Sequence, residues 1–526
     1  MSAPNMTDYE ATHASFRLEV PELFNYARDV IDAWASREPL RLALVAVGPD
    51  GSNARSFTFA DLAGDSNRAA NFLAARGVAK GDRVFVMLPR IPEWYAVLLG
   101  CFKLGAVPMP GTTLLTGRDI DYRVNRAEAS MAVVDAEGAA KVAEVRDRCP
   151  ALASVVSVGG TSDGAFSWEE GLAAASDRPP DLVPTRSEDP LIIYFTSGTV
   201  AYPKMVLHTH ASYGIGHDIT ARFWQDLRSD DLHWTVSDTG WAKAAWGKLF
   251  GQWRMGAAVF LWDVRGKPDF ELMLRLADEH GVTTFCAPPT VFRTLIQLDL
   301  RRYDWTRLRH SMSAGEPLNP EVIRVWQEAT GLEVYDGYGQ TETVNLVANY
   351  RCLPIKAGSM GRPAPGFTVE VVDDEGSVLT AGEEGHVAVR VRPERPVGLF
   401  REYWRDPEAT VSAFRGDWYY TGDRAFMDDD GYFWFVGRSD DVIISASYRI
   451  GPFEVESALV EHPAVMEAAV VGKPDPHRGQ IVKAFVVLAA DRQGSDSLVA
   501  ELQEHVKRVT APYKYPREVE FVSELP

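Results

Sequence analysis

The segment Tyr194-Phe195-Thr196-Ser197-Gly198-Thr199-Val200-Ala201-Tyr202-Pro203-Lys204 sets an apolar run against three hydroxyls, a glycine and a lysine. Hydroxyls and loop amides can donate to phosphate oxygens, and Lys204 supplies a point charge. The spacing is not that of the GxxxxGK[ST] loop, so a Walker nucleotidase is not supported. A bare Thr-Ser-Gly-Thr would be a surface turn. The strand-like run before it and Pro203-Lys204 after it favour phosphate binding.

A second segment is Asp336-Gly337-Tyr338-Gly339-Gln340-Thr341-Glu342. Two glycines bracket a flat aromatic, which suits close backbone approach to a base or an acyl carbonyl. Glu342 offers hard oxygens to Mg²⁺. The plain alternative is a strand-to-helix turn with a structural tyrosine. A third segment is Tyr420-Thr421-Gly422-Asp423, followed by Asp430-Gly431 and Gly437-Arg438-Ser439-Asp440-Asp441. Asp423, after a tight turn, could accept two ribose hydroxyls. Asp430-Gly431 reads as a hairpin turn, and Arg438 taken alone as a surface ion pair.

The elements that position these groups alternate strand and helix. Thr58 and Asp61 form a capping box opening a helix through Arg76, with Gly77 as its stop. Arg83–Leu88 reads as a strand, Pro92–Leu104 as a helix ended by Gly105, and Ala106–Met109 as a strand. Such β-α-β units imply parallel sheets covered by helices. Similar apolar runs recur at Met131–Val134, Leu191–Phe195 and Ala257–Trp262. Gly416–Val436, rich in aromatics and turn residues, predicts antiparallel strands forming a barrel-like part. Beyond the polar break at Asp440 the pattern predicts a helix (Pro452–Glu461), strands at Glu467–Val471 and Lys483–Leu488, a helix (Leu498–Val509) and a last strand (Val519–Val522). The expectation is an α/β protein with a large domain over residues 1–439 and a small α+β domain over 440–526.

Composition narrows the partners. The 526 residues carry 54 Lys+Arg against 73 Asp+Glu, a formal charge of −19. That argues against a general nucleic-acid binder, which needs a basic stripe, and against docking on anionic membrane by charge. Cys101, Cys149, Cys286 and Cys352 form no CxxC pair, so neither zinc nor a disulfide framework is suggested. The acidic N-terminal stretch is not a signal peptide, and no run reaches the ~18 apolar residues of a membrane span. These features predict a cytoplasmic protein, monomer or homo-dimer.

Together the three segments resemble the adenylate-forming superfamily of acyl- and aryl-CoA synthetases, luciferases and peptide-synthetase adenylation domains. Leu88-Pro89-Arg90-Ile91-Pro92-Glu93-Trp94, Pro110-Gly111-Thr112, Ser237-Asp238-Thr239-Gly240-Trp241, Tyr448-Arg449-Ile450-Gly451-Pro452-Phe453-Glu454 and Ala511-Pro512-Tyr513-Lys514 look most like the medium-chain acyl-CoA synthetases. The resemblance implies ATP, Mg²⁺ and coenzyme A, an acyl-AMP intermediate, and a small mobile C-terminal domain hinged at Asp440. It implies that Thr196, Ser197, Gly198, Thr199 and Lys204 hold the β- and γ-phosphates. Gly315, Glu316 and Pro317 would line the adenine pocket, with Asp336, Gly337, Tyr338, Gly339 and Gln340 beside the base. Thr341 would touch the α-phosphate and the acyl carboxylate, Glu342 would bind Mg²⁺, Asp423 and Arg438 would hold the ribose, and Arg449 would contact phosphate. Coenzyme A would meet Ala446, Ser447, Tyr448, Arg478, Lys507, Tyr515, Pro516 and Arg517. Leu114, Trp241 and Lys243, with Trp246, would bound an acyl slot for short, medium or branched chains. Helical spacing predicts that Trp241, Ala244 or Ala245, and Lys248 sit on neighbouring turns.

The alternatives are an aryl-CoA ligase, acyl transfer to a carrier protein, or an adenylate sensor without turnover. Three departures from the family pattern stand out. Ala201 occupies a position where glycine is usual, and Ala446-Ser447 replaces Ser-Gly. The sequence stops at Glu524-Leu525-Pro526, where the family continues with a lysine-containing segment, so a chain cut short before that lysine is expected.

Overall fold

A computed structural model describes residues 3–160, 162–181, 184–196, 203–316, 318–439, 441–445, 448–475, 478–489, 492–510 and 512–525, without the side chains of 444, 448 and 449. Ser197, Gly198, Thr199, Ala201, Pro317, Asp440, Ala446 and Ser447 lie outside the described residues, as do the side chains of Tyr448 and Arg449.

Two sheets carry the expected parallel pairing. The smaller runs in the order Val107–Pro110, Arg83–Met87, Met131–Asp135, Ser154–Val158, Phe166–Ser167, parallel throughout. The larger has nine strands. Its six central members are parallel and run Val334–Tyr338, His310–Ala314, Thr284–Ala287, Leu232–Thr235, Ala258–Trp262, Leu42–Val47. The outer strands Arg55–Thr58, Val347–Ala348 and Arg362–Pro363 are antiparallel. Buried on both faces, Leu42–Val47 and Ala258–Trp262 read as continuous apolar runs, whereas His310–Ala314 also buries His310, Ser311 and Ser313.

The helix Phe59–Ala75 forms as its caps dictate. Thr58 Oγ1 accepts from the Asp61 amide and the Asp61 carboxylate accepts from the Thr58 amide. Gly77 closes it at φ +91. It packs on the helix Pro92–Leu104 so closely that a Cβ on Gly100 would lie 2.7 Å from Ala69 Cβ. Phe59, Leu73, Trp94, Leu98, Tyr213, Phe250 and Trp253 fill the main core between the layers. Each such side chain contributes about 1.5–3 kcal/mol by leaving water.

The run Pro190–Thr196 departs from the β-α-β pattern. It pairs antiparallel with Lys204–Thr209, and Glu402–Tyr403 joins as the third strand. The seven residues 197–203 are too few for a parallel crossover, which takes a dozen or more. An antiparallel sheet, in the order Val369–Val372, Glu384–Arg390, Trp418–Met427, Phe414–Arg415 with Phe433–Arg438 beside Trp418–Met427, forms where antiparallel strands were expected. Gly431, at φ +80, makes the expected hairpin turn, and Lys356 bridges Asp428 and Asp430 across it.

The last part of the chain has its own sheet and core. Tyr448–Ile450, Ile443–Ser445, Gly479–Leu488 and Val465–Asp475 pair antiparallel, and Glu518–Val522 adds in parallel. The helices Pro452–Val460 and Asp496–Val509 cover it through Val455, Leu459, Leu502 and Val506. Among the described residues no helix is long and apolar enough to cross a membrane.

Candidate active site

The central strands deliver the second segment to a cavity. Val334–Tyr338 runs parallel beside His310–Ala314, and both end at the carboxyl edge of the sheet. Parallel sheets open their ligand crevices at that edge, where the connections diverge. A cavity of about 970 Å³ lies there. Thr196, Lys204, Gly315, Glu316, Asp336, Gly337, Tyr338, Gly339, Gln340, Thr341, Glu342, Asp423 and Arg438 line it. Segments up to 242 positions apart in the sequence, from Thr196 to Arg438, thus meet in one space.

The two glycines of the second segment have a steric cause. A Cβ on Gly337 would lie 2.5 Å from Trp224 Cε2, and one on Gly339 would lie 2.2 Å from Trp246 Cη2. The tryptophans behind the strand therefore require glycine in front of them. Gly315 and Gly422 have a different cause, since their φ of +112 and +78 suits glycine alone.

Asp423 is the hub of the polar wall. Its Oδ2 accepts from Tyr338 Oη at 2.5 Å and from Gln340 Nε2 at 2.7 Å. Its Oδ1 accepts from Arg438 Nη1 at 3.1 Å. Strand pairing sets this last contact, because Asp423 and Arg438 are register partners. Tyr419 Oη donates to Gln340 Oε1 at 2.9 Å and so orients the amide. Burial holds the Asp423 carboxyl above its ordinary range, with Arg438 opposing. Burial pushes the Asp336 carboxyl up to about 8, while the Gly337 amide opposes it.

A second carboxylate lines the cavity on the side of Lys204. Glu342 Oε1 accepts from Tyr403 Oη at 2.8 Å. Burial raises the Glu342 carboxyl, with Tyr403 acting against it. Lys204 Nζ lies 4.7 Å from the centre of the Tyr403 ring. The Thr341 carbonyl is pinned by Tyr213 Oη at 2.6 Å and lies 2.8 Å from His208 Nε2. Both rings are fully buried and stacked.

The acyl-slot residues are placed differently. The helix runs Lys243–Lys248, so Trp241 precedes it rather than sharing its turns, and it is 51% exposed. Tight packing explains the break, because Gly240 lies against Gly111 and Thr112. Leu114 is 83% exposed. Trp246 and Lys248 are buried, and Lys243 Nζ donates to the Ala314 carbonyl beside Gly315. Burial lowers the Lys243 ammonium and takes that of Lys248 down to about 7.

Away from the cavity, the C-terminal cations gather on one ring. Lys507 Nζ lies 4.3 Å and Arg517 Cζ 5.0 Å from the Tyr515 ring centre. The Pro516 carbonyl accepts from Gln503 Nε2 at 3.0 Å. Arg478 sits apart, its amide donating to Asp475.

Sequence reasoning missed Tyr403 and Arg415, which also line the cavity, and Tyr419, which orients Gln340; Tyr420, quoted in the third segment without a role, lines it too. No local motif marks Tyr403, since its partner Glu342 lies 61 positions away.

Residues 31–404 match the AMP-binding enzyme family, and residues 454–526 match the AMP-binding enzyme C-terminal domain. The chain belongs to the AMP-binding enzymes. This AMP-binding enzyme is 47% identical to the rat acyl-coenzyme A synthetase ACSM3, mitochondrial, over 99% of this chain and 91% of the relative. The mouse acyl-coenzyme A synthetase ACSM4, mitochondrial, is 48% identical over the same shares. Among solved structures, the anthranilate CoA ligase AuaEII in complex with anthranoyl-AMP superposes with a TM-score of 0.89 at 30% identity, covering 96% of this chain and 95% of that one. The Brucella canis acyl-CoA synthetase does so with a TM-score of 0.79 at 35% identity, covering 99% and 96%. The expected membership on the acyl-CoA synthetase side of the adenylate-forming superfamily is borne out.

The expected cytoplasmic location is not. The curated relatives are named mitochondrial, which overturns it.

Proposed function

We propose that this AMP-binding enzyme is an acid–thiol ligase that converts short- to medium-chain or branched carboxylates to coenzyme A thioesters at the expense of ATP. The observation that carries this reading is the shared cavity, in which a phosphate-type lysine, a glycine-flanked tyrosine and a buried aspartate paired with the half-exposed Arg438 face one another. Near-full-length similarity to acyl-CoA synthetases supports it.

In the first half-reaction a substrate carboxylate oxygen attacks the α-phosphorus of ATP. Acyl-AMP forms and pyrophosphate leaves. No side chain acts as nucleophile, so the chain contributes orientation and charge neutralisation. Gly315, Glu316, Asp336 and Gly337 bound the base, with Tyr338 held beside it by Asp423. The ribose hydroxyls donate to Asp423, with Arg438 alongside. Lys204 and Thr196 meet the polyphosphate, and Thr341 meets the α-phosphate and acyl carboxylate. Glu342 fits a divalent cation: its carboxylate supplies hard oxygens and lines the cavity beside Lys204, with Tyr403 donating to Oε1. Mg²⁺ bound there would neutralise phosphate charge.

In the second half-reaction the coenzyme A sulfur attacks the acyl carbonyl and AMP leaves, the thiol proton passing to solvent. Lys507, Arg517 and Arg478 would meet the phosphates of coenzyme A. The C-terminal unit would turn about residue 440 between the two steps. Trp241, Trp246 and Lys243 would bound the acyl group.

The test is carboxylate-dependent pyrophosphate release with acids from acetate to dodecanoate, plus branched and aromatic acids, each with and without coenzyme A. Stimulation by medium or branched acids, accelerated by coenzyme A, supports the reading. The likeness to AuaEII favours aryl acids as the second reading, and dominance of benzoate-type acids in the panel would select it.

A further inference from the structure

We infer that Tyr403 is a positioning residue for adenylation, holding Lys204 and Glu342 at the spacing the ATP polyphosphate requires. This rests on the ligase reading above for the roles of those two groups.

The argument begins with the backbone around Tyr403. Glu402 and Tyr403 pair antiparallel with Leu207 and Val206, on the strand that begins at Lys204. The Arg401 amide donates to the Leu207 carbonyl at 2.8 Å, and the Trp404 amide donates to Met205 at 2.7 Å. The same segment also grips the turn that carries Glu342. The Phe400 amide donates to the Glu342 carbonyl at 2.7 Å, and Leu399 bridges Thr343. Residues 399–404 therefore splint two parts of the chain that share no strand of their own.

The side chain of Tyr403 completes the splint inside the cavity. Its hydroxyl donates to Glu342 Oε1 at 2.8 Å. The face of its ring lies 4.7 Å from Lys204 Nζ, within range of a cation–π attraction. The ring is itself fixed. It is 7% exposed, packs on Phe400 at 4.8 Å, and its amide donates to Thr410 Oγ1 at 3.0 Å. One rigid side chain thus contacts the cation and the carboxylate that face the polyphosphate. Without it, a flexible lysine and a carboxylate would each have to be ordered when ATP binds, at a cost in side-chain entropy.

Only the part of the nucleotide beyond the α-phosphate should sense this device. AMP lacks the β- and γ-phosphates, so a defect confined to positioning separates ATP from AMP. A loss of general folding support would weaken both.

The experiment compares the 526-residue chain with Tyr403→Phe, which keeps the ring, and Tyr403→Leu, which removes ring and hydroxyl. Affinities for ATP, with and without Mg²⁺, and for AMP are measured by calorimetry. Pyrophosphate release gives kcat and KM for ATP, and supplied acyl-AMP with coenzyme A gives the second half-reaction. Tyr403→Phe is expected to lower kcat/KM for ATP about 10-fold and Tyr403→Leu about 100-fold, the scale of one and then two lost contacts to charged groups. AMP affinity and the second half-reaction should stay within about twofold, which uniform binding loss would not allow. Equal weakening of ATP and AMP, or wild-type kcat/KM in both variants, would overturn the inference. Failure of the wild type to release pyrophosphate with any acid would instead sink the ligase reading, and the ratio of ATP to AMP affinity would still decide the role of Tyr403.

Discussion

Tyr338 Oη and Asp423 Oδ2 lie 2.5 Å apart, joining two segments 85 positions apart in the sequence. The contact ties the glycine-flanked ring to the carboxylate of the third segment. It makes this polar wall of the cavity one hydrogen-bonded unit, with Gln340 and Arg438 as its other members.

Removing the hub should disable that unit. Asp423→Ala removes an acceptor shared by Tyr338, Gln340 and Arg438. Lost hydrogen bonds to a charged group are worth about 1.5–3 kcal/mol each. Affinity for ATP and for AMP should fall together, about 100-fold or more, as read by calorimetry. Retained AMP affinity would refute the assignment of Asp423 to the nucleoside.

Gly339 has no room for a side chain. Gly339→Ala would drive its Cβ to 2.2 Å from Trp246 Cη2. Overpacking of this kind costs about 1–3 kcal/mol. The variant should lose thermal stability and pyrophosphate release. Trp246→Phe on the same chain should restore part of both, giving a non-additive double-mutant cycle. Additive losses would place the clash elsewhere.

Lys248 should leave a mark on stability against pH. Burial, aided by Arg90, takes its ammonium from 10.5 down to about 7. Between those values the unfolded chain holds the proton and the folded chain does not. Stability contributed by this group therefore rises as pH goes from about 7 to about 10.5. Lys248→Met removes that contribution. Urea midpoints should show the variant ahead of the wild type by more at pH 7 than at pH 10, and a difference constant with pH would contradict this.

The Tyr515 cluster gives a prediction confined to coenzyme A. Lys507→Ala with Arg517→Ala removes two cations over one ring. KM for coenzyme A should rise about 10-fold or more, since phosphate contacts are charge-assisted. Pyrophosphate release during acyl-AMP formation without coenzyme A should be unchanged. A wild-type KM would remove these residues from the coenzyme A site.

Much was written into the sequence alone. The Thr58 capping box, the Gly77 stop and the Asp430-Gly431 turn are local hydrogen-bonding and φ preferences, and they formed where the residues called for them. Apolar runs alternating with amphipathic helices dictated the parallel sheets. Residue type and spacing marked out three polar segments, each with described members that line one cavity. Other features depend on contacts between distant segments, which no local pattern records. The short return after Thr196 becomes an antiparallel pair because its connection is too short for a crossover. Trp241 leaves the helix because Gly240 must lie against Gly111 and Thr112. Tyr403 reaches Glu342 only because a third strand docks beside Lys204–Thr209. Local propensity fixes which elements form and which groups carry charge. Side-chain packing between elements far apart in the chain decides which of those groups meet.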